Sequence, residues 1–362
     1  MPLIAEHSCK INLELPRIVS GEMDVFYNPL MISNRNISIL LLNSIPHTQI
    51  NIADPLAGSG IRSLRFLKEL KKDKIGKISL NDANKNFPAT FNRHLKLNKI
   101  SKKNLIISNE DASLFLLHQI GFDYIDIDPF GSPNPFLAAA VARISREGIL
   151  AVTATDTAAL TGTYPKVTIR KYWATSMKNY LMHEVGLRIL IRKVQLQGVQ
   201  FDKALIPILS YHKDHYFRIY FQNIKGKENC DVLLKQHHYF LFCPNCLRFK
   251  TSPFNKEKCS CEKEFYFAGP LWVGDLSDQK LITQMAKQNP FPEEQKFLDT
   301  LATEAAVNTV GFYDLHELAR KYKQNPPRME AALKKLNAVR THFSFTGIKT
   351  KKSFKGVVKL YE

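Results

Sequence analysis

An acid, a proline and an aromatic ring follow directly after an apolar run in the segment DIDPFGSPNPF, residues 126–136. A turn after a strand requires the proline and the glycine, but it requires neither Asp128 nor Phe130. The Asp128 carboxylate is suited to orienting the N–H groups of an aromatic amine, whose lone pair otherwise delocalises into the ring. Pro129 fixes the turn, and Phe130 offers a stacking face for a base taken out of its helix. The pattern predicts methyl transfer to an exocyclic amino nitrogen; alternatively, Asp-Pro only ends a strand and Phe130 packs in the core.

A glycine turn, DPLAGSG at residues 54–60, lies between an apolar strand pattern and a helical pattern. It lacks the GxGxxG spacing, and Ile61 and Arg62 stand where a phosphate-binding loop has Lys and Ser or Thr. The form Asp-x-x-x-Gly-x-Gly instead suits S-adenosylmethionine, whose amino-acid part lies over such a turn. The alternative is a turn with a purely structural role.

Acids also follow the next two predicted strands. Asp82 is placed to accept both hydroxyls of a ribose, because a carboxylate offers two acceptor oxygens. Asp111 is placed near the amino group of an adenine. Each acid alone is more typical of a strand-end turn, but acids at successive strand ends share one edge of a parallel sheet, where ligands bind. Together they predict a pocket for a nucleoside-containing cofactor.

Strand and helix patterns alternate through the first two-thirds of the 362 residues. This alternation predicts an α/β fold, a Rossmann-like class I methyltransferase sheet of five parallel strands with a late antiparallel pair. The predicted strands are 49–54, 76–82, 104–111, 122–128 and 148–156, followed by the pair 203–212 and 215–222. The predicted helices are 61–72, 85–98, 134–144 and 177–198.

The alternation stops near residues 223–242, which predicts a domain boundary. We expect a methyltransferase domain at 1–222 and an α+β C-terminal domain at 223–362. The second domain contains a cysteine cluster at 243–261 and helical patterns near 278–287, 293–308, 314–323 and 327–338.

The six cysteines predict a zinc-ribbon-like centre. Cys243 and Cys246 have the two-residue spacing of a zinc knuckle, whereas Cys259 and Cys261 are separated by one residue. We predict a structural Zn²⁺ held by all four thiolates. The alternatives are a degenerate site without metal, or a site that uses Cys230 or a neighbouring histidine.

The formal net charge is +18, and half of it lies in residues 321–362, which contain 11 Lys and Arg residues against two acids. This placement indicates a polyanionic partner, most simply a nucleic acid, although a Lys-rich solvated surface is the alternative. No apolar run has the length of a membrane span, and the first residues lack the features of a signal peptide. We therefore expect a cytoplasmic protein without a membrane partner.

Seven stretches in order resemble the archaeal-type tRNA (guanine(26)-N(2))-dimethyltransferases, a family of class I S-adenosylmethionine-dependent methyltransferases. The stretches are VFYNPLMISNRNIS (25–38), DPLAGSGIRSLR (54–65), DIDPFGSPNPF (126–136), VTATDTAALTG (152–162), DHYFRIYF (214–221), GPLWVGDL (269–276) and RTHFSFTGIKT (340–350). The family usually has Asp where this chain has Asn36, a difference that could alter how Arg35 is held.

The resemblance implies roles for individual residues. Asp128 would be the catalytic carboxylate, next to Pro129 and Phe130, and Phe26 would cover the target guanine opposite Phe130. The methyl donor would be bound by Arg35, Arg62, Asp82, Asp111 and Ala112.

The implied reaction transfers one and then a second methyl group from S-adenosyl-L-methionine to N2 of guanine 26 in tRNA. The alternatives are a methyltransferase for another exocyclic amino group in RNA or DNA, and a non-catalytic tRNA-binding protein. The resemblance also implies that the N-terminal loop of the 1–222 domain contributes to the target pocket and that the 223–362 domain binds tRNA. No obligate protein partner is implied.

Overall fold

The computed structural model describes residues 3–13 and 27–361. It divides into two compact units that are interleaved along the chain. The first comprises the described part of Met1–Thr155 with Tyr220–Lys225 and Lys287–Glu294; the second comprises Asp156–Ile219, Gly226–Ala286 and the described part of Gln295–Glu362. The predicted domains 1–222 and 223–362 stay a prediction.

A mixed seven-stranded sheet is the largest element, and it confirms the predicted α/β fold. Its order is β5-β4-β3-β6-β7-β9-β8, and β3 to β7 are paired in parallel. A separate antiparallel hairpin precedes it. The hairpin strands are β1 (Leu3–Glu6) and β2 (Cys9–Asn12), and the sheet strands are β3 (Ile50–Asp54), β4 (Ile75–Asn81), β5 (Leu105–Ser108), β6 (Phe122–Ile127), β7 (Ile144–Ala154), β8 (Lys203–Lys213) and β9 (Tyr216–Lys225).

Eight helices accompany these strands in the described chain. They are α1 (Ile32–Ser44), α2 (Ile61–Glu69), α3 (Phe87–Leu97), α4 (Ala112–Leu117), α5 (Leu137–Arg143), α6 (Thr157–Leu160), α7 (Pro165–Tyr172) and α8 (Met182–Val199). Strand β5 ends three residues before the predicted 111, because Asp111 caps α4 instead of continuing the strand. Helix α8 begins five residues after the predicted 177, because Asn179 forms a turn in which its side chain accepts a hydrogen bond from the Leu181 N–H.

The rest of the chain is α+β, as predicted, with two three-stranded sheets in the orders β11-β10-β12 and β13-β15-β14. All four predicted helices are present within two residues of their predicted ends. The elements are α9 (Lys227–Leu234), β10 (His237–Phe242), β11 (Phe249–Ser252), β12 (Tyr266–Trp272), α10 (Gln279–Lys287), α11 (Gln295–Val307), β13 (Tyr313–Asp314), α12 (Leu315–Tyr322), α13 (Met329–Leu336), β14 (Val339–Thr341), β15 (Ser344–Lys349) and α14 (Phe354–Val358).

Buried ion pairs join α8, α11 and β15 within the second unit. The Lys349 ammonium lies 3.1 Å from Glu184 and 3.2 Å from Glu304, and Arg188 donates to Glu184 at 2.9 Å. Burial opposes ionisation of Glu184, but Lys349 and Arg188 hold its pKa below the ordinary value. Removal of one member of such a group leaves an uncompensated buried charge, so the three elements depend on one another.

No helix in the described ranges 3–13 and 27–361 combines the length and apolar character that crossing a membrane requires.

Candidate active site

The glycine turn between β3 and α2 has the tight geometry that its sequence predicts. Gly58 and Gly60 have φ angles of +56° and +74°, in the left-handed region that favours glycine. A Cβ atom on Gly60 would lie 2.2 Å from a ring carbon of Phe91 on α3. No larger side chain fits at Gly60 unless this ring moves. The turn therefore brings the start of α2 close to the end of β3.

The Asp82 carboxylate, at the end of β4, is tied to this turn. One oxygen accepts a hydrogen bond from the Gly58 N–H at 2.8 Å, and the other accepts from the Asn84 N–H at 2.9 Å. Each carboxylate oxygen has a further acceptor site after these bonds. Asp82 can thus hold the turn and accept ribose hydroxyls at the same time.

Asp111 is the N-cap of α4, and one of its oxygens accepts from the Ser113 and Leu114 N–H groups at 2.9 and 3.1 Å. Asp111 therefore does have the structural role after a strand that the sequence offered as the alternative to ligand binding. The other oxygen, Oδ2, makes no hydrogen bond within the described residues, so Asp111 retains an acceptor for an amino group. Ala112 is the first residue of α4 and is buried.

The Asp128 carboxylate, directly after β6, is held by Arg62. The Arg62 side chain is 6% exposed; its Nη2 donates to Asp128 Oδ2, and its Nη1 lies 3.2 Å from Asp126 Oδ2. Nη1 also donates to Asn34 and Ser38 of α1, at 2.9 and 3.1 Å. The other oxygen of Asp128 makes no hydrogen bond within the described chain, and this side chain is 18% exposed. Asp128 therefore presents a fixed acceptor to a ligand.

Phe130 is 64% exposed, so it does not pack in the core as the structural alternative required. Pro129 before it is buried. Gly131 has a φ of +91°, its N–H donates to the Thr155 hydroxyl at 2.7 Å, and its carbonyl accepts from the Thr155 N–H at 2.9 Å. These bonds fix the backbone directly after Phe130.

Asp54, Asp126 and Asp128 all interact electrostatically with one cation, the Arg62 guanidinium. The pKa of Asp54 rises to about 7, mainly through complete burial; Arg62 opposes this rise, and Asp126 adds to it. The Ser63 hydroxyl donates to Asp54 at 2.8 Å. Burial thus outweighs the attraction of Arg62, and Asp54 titrates close to neutral pH.

Arg35 is turned toward Glu6 of β1, which accepts from its Nε and Nη2 at 2.7 and 2.6 Å. Arg65 and the Tyr27 hydroxyl bind the same carboxylate, at 2.9 and 3.0 Å. Asn36 donates instead to Glu293 and Glu294, at 3.0 and 3.2 Å. The change at position 36 therefore does not act on Arg35 through a direct hydrogen bond.

The structure brings Arg62 and Asp128 together, and contact of Arg35 and Arg62 with the donor stays a prediction. Phe26 lies outside the described residues. The sequence did not indicate that Glu6 binds Arg35, or that Asp126 and Asn34 bind Arg62. A signal existed for Asp126, because residues two apart on a strand point to the same face, and the DID pattern places it beside Asp128.

The four predicted zinc ligands come together in the second unit. The sulfur atoms of Cys243, Cys246, Cys259 and Cys261 all lie within 4.8 Å of one another, and two pairs are 3.5 Å apart. Tetrahedral zinc with Zn–S bonds of about 2.3 Å requires sulfur separations of about 3.8 Å. The cluster is therefore compatible with zinc, and Cys230 on α9 is not part of it.

Two tight turns carry the ligands. In the first, the Leu247 N–H donates to the Cys243 carbonyl at 2.8 Å. In the second, the Glu262 N–H donates to the Cys259 carbonyl at 2.9 Å, and Glu262 has a φ of +62°. The short spacing from Cys259 to Cys261 thus still lets both thiols reach the cluster. A metal ion would link the two turns beside a small core of Leu241 and Phe265.

We expect the purified protein to contain about one zinc ion per chain and to lose thermal stability when a strong chelator removes it, because structural zinc contributes folding free energy. Cys259→Ser should lower both the zinc content and the melting temperature. Cys230→Ser is the control, since it changes a buried thiol outside the cluster and should leave the zinc content unchanged. Elemental analysis with thermal unfolding checks this, and a parent protein without zinc would contradict it.

Comparison with known proteins places this arrangement in a family. The family model described as N2,N2-dimethylguanosine tRNA methyltransferase matches residues 6–362. The tRNA (guanine(26)-N(2)/guanine(27)-N(2))-dimethyltransferase of Aquifex aeolicus is 40% identical, covering 100% of this chain and 96% of that protein. The tRNA (guanine(26)-N(2))-dimethyltransferase of Methanobrevibacter smithii is 36% identical, covering 94% and 92%.

A solved structure agrees with these matches. Trm1 from Pyrococcus horikoshii in complex with S-adenosyl-L-methionine superposes with a TM-score of 0.87 at 30% sequence identity, covering 99% of both chains. The structural similarity thus extends over nearly the whole length of the chain. The chain belongs to the family of N2,N2-dimethylguanosine tRNA methyltransferases.

Proposed function

We propose that this protein transfers methyl groups from S-adenosyl-L-methionine to N2 of guanine 26 in tRNA, giving N2-methylguanosine and then N2,N2-dimethylguanosine. The observation that carries the proposal is the Asp128 carboxylate next to the exposed ring of Phe130: Arg62 holds one oxygen, and the other accepts no hydrogen bond from the described residues. Membership of the family and the strand-end acids support the same donor and target.

Asp128 orients the target amine in this reaction. The bound donor supplies an electrophilic methyl group on a sulfonium. The free oxygen of Asp128 accepts an N–H of the guanine amino group, which turns the nitrogen lone pair toward the methyl carbon and holds the proton that leaves after transfer. The monomethylated nitrogen keeps one N–H, so the same single acceptor serves the second transfer.

Phe130 and Pro129 form the target side of the site. The exposed Phe130 ring stacks on a guanine that has left its helix, and the hydrogen bonds of Gly131 to Thr155 fix the backbone of the turn that carries Phe130. We propose that Phe26 covers the opposite face of the guanine, as the family resemblance implies. Arg62 acts by fixing Asp128, because its removal leaves that carboxylate without its hydrogen-bond donor.

The donor side follows the edge of the sheet. We place the methionine part over the glycine turn, the ribose at Asp82, and the adenine at Asp111 and Ala112. Arg35 and Arg62 are proposed to approach the donor as well, although their hydrogen bonds in this structure go to acids of the protein.

The tRNA is proposed to bind largely through residues 223–362. This part of the chain contains the basic tail, residues 321–362, and the cysteine cluster at 243–261. Phosphate contacts from lysine and arginine give strong and salt-dependent affinity that carries little sequence information. A tRNA-modifying role also fits the expected cytoplasmic location. The sequence left two alternatives: methylation of another exocyclic amino group, and tRNA binding without catalysis. Identification of the methylated nucleoside and measurement of turnover distinguish both from the proposed activity.

Guanine 27 is a second candidate target. The relative from Aquifex aeolicus, with 40% identity over all of this chain, is named for both guanine 26 and guanine 27. Transcripts in which adenine replaces guanine 26, guanine 27 or both separate the two activities. We expect dimethylguanosine, measured by mass spectrometry of nucleoside digests, from the transcript that keeps only guanine 26. Product from the transcript that keeps only guanine 27 would establish the second target, and its absence would restrict the enzyme to guanine 26.

Replacing Asp82 with alanine should weaken S-adenosylmethionine binding by about 1–3 kcal/mol, because two charge-assisted hydrogen bonds to the ribose are lost. Glu110→Ala is the matched control, since this acid lies near the same strand ends but pairs with His118 at the surface. Calorimetry gives both dissociation constants. An Asp82→Ala protein with parental affinity would mean that Asp82 serves only the Gly58 turn.

Asp128→Ala should reduce methyl transfer about 100-fold or more while leaving the affinity for tRNA nearly unchanged, because Asp128 acts on the reacting amine. Asp123→Ala is the control from the opposite end of β6. Turnover is read as methylated guanosine per enzyme, with melting temperature and donor affinity as checks on folding. Near-parental turnover of Asp128→Ala would remove this residue from the catalytic role.

A further inference from the structure

The segment from Thr157 to His183 contains no acid, but it contains Lys166, Arg170, Lys171 and Lys178. It includes α7, which lies in the second unit and outside both the proposed donor pocket and the basic tail. Large apolar side chains are exposed here beside the charges: Tyr164 is 59% exposed and Ile169 is 53% exposed. Basic side chains interleaved with exposed rings are typical of surfaces that bind single-stranded nucleic acid.

Trp173 is the C-cap of α7, and hydrogen bonds hold its backbone in an unusual conformation. Its φ is +53°, in the left-handed region, which is uncommon for a bulky residue. Its N–H donates to the Ile169 carbonyl at 3.1 Å, and its carbonyl accepts from Arg192 Nη1 at 3.2 Å. Strained backbone of this kind persists only where neighbouring contacts fix it, and such positions cluster at functional sites.

The Trp173 ring is held from one side. The ammonium nitrogen of Lys193, a residue that is 5% exposed, lies 3.1 Å from the ring centroid. This cation attracts the π electrons of the ring and fixes its orientation. Trp173 is nevertheless 48% exposed, and because Lys193 occupies one face of the ring, we infer that the opposite face is open to solvent. A rigid ring with one supported face and one open face is suited to stacking a nucleotide base.

The neighbouring charges are available for phosphates. Lys166 and Arg170 are exposed and lie four residues apart, which places them on the same face of α7. Neither has an acidic partner within ion-pair distance in the described part of the chain. Lys171 is different, because it lies 3.5 Å from Asp156.

We propose that Tyr164, Lys166, Ile169, Arg170 and Trp173, the α7 surface, bind an unpaired stretch of the tRNA. One base stacks on Trp173, and Lys166 and Arg170 contact the adjacent phosphates. This inference rests on the proposed function, because it takes tRNA as the substrate. The absence of acids favours a polyanion over a protein partner, and the open aromatic face favours an unpaired base over a duplex.

The chain offers a direct probe, because Trp173 and Trp272 are its two tryptophans and Trp272 is 3% exposed. Stacking of a base on Trp173 should quench its fluorescence. Titrating the full-length protein with tRNA, and separately with a single-stranded RNA oligonucleotide, should therefore lower the emission. Trp173→Leu, which retains only the emission of Trp272, should show no quenching under the same conditions.

Trp173→Leu should also weaken tRNA binding roughly 5- to 100-fold, because base stacking on an aromatic ring is lost. Trp173→Phe, which keeps an aromatic face, should retain most of the affinity. Phe201→Leu is the matched control, since Phe201 is 42% exposed but is followed by Asp202, and it should bind like the parent.

The outcomes separate this proposal from the proposed function. A parent protein that methylates tRNA but shows no quenching, or a Trp173→Leu variant with parental affinity, would overturn the α7 surface alone. A parent protein that binds S-adenosylmethionine but neither binds nor methylates tRNA would overturn both. Equal loss of affinity in Trp173→Leu and Phe201→Leu would also contradict a specific role of the α7 surface in tRNA binding.

Discussion

The Arg62 guanidinium is the group on which the first unit's active-site region depends. A buried cation is stable only when its hydrogen bonds are satisfied and its charge is balanced. Here Asp126 and Asp128 supply the charge, and Asn34 and Ser38 supply further acceptors. Because these partners come from α1 and the end of β6, both elements must pack against α2 in a single arrangement. The carboxylate that we propose to orient the amine is positioned by the same interaction.

The limited donor capacity of Arg62 also divides the acids into two kinds. Asp126 and Asp128 lie within ion-pair distance of it, whereas Asp54 receives a hydrogen bond from Ser63 and has a pKa raised to about 7 by burial. Burial is the largest cause of the raised pKa of Asp54, and Arg62 offsets it only in part. Asp128, by contrast, is held by a direct ion pair with Arg62.

The strand-end acids serve structure and ligand binding together. Asp82 binds the Gly58 N–H and Asp111 caps α4, yet a carboxylate has about four acceptor positions and these bonds use only some of them. The same backbone contacts that hold each side chain leave other lone pairs directed elsewhere. A structural role for these acids is thus compatible with a role in donor binding, and the interpretation of each as a turn residue does not exclude the other.

The features that depend on neighbouring residues could be predicted from the sequence: the α/β alternation, the glycine turn at 54–60, the acids after the strands and the spacing of the cysteine pairs. Turn chemistry and strand or helix periodicity act over a few residues, so they are readable from the chain. The folded structure was needed to show that Arg62 pairs with Asp128, that Arg35 pairs with Glu6, and that Trp173 lies against Lys193. These partners are separated by about 20 to 66 residues along the chain. The packing of helices and strands brings such distant segments together, and it therefore selects which of the many charged groups meet.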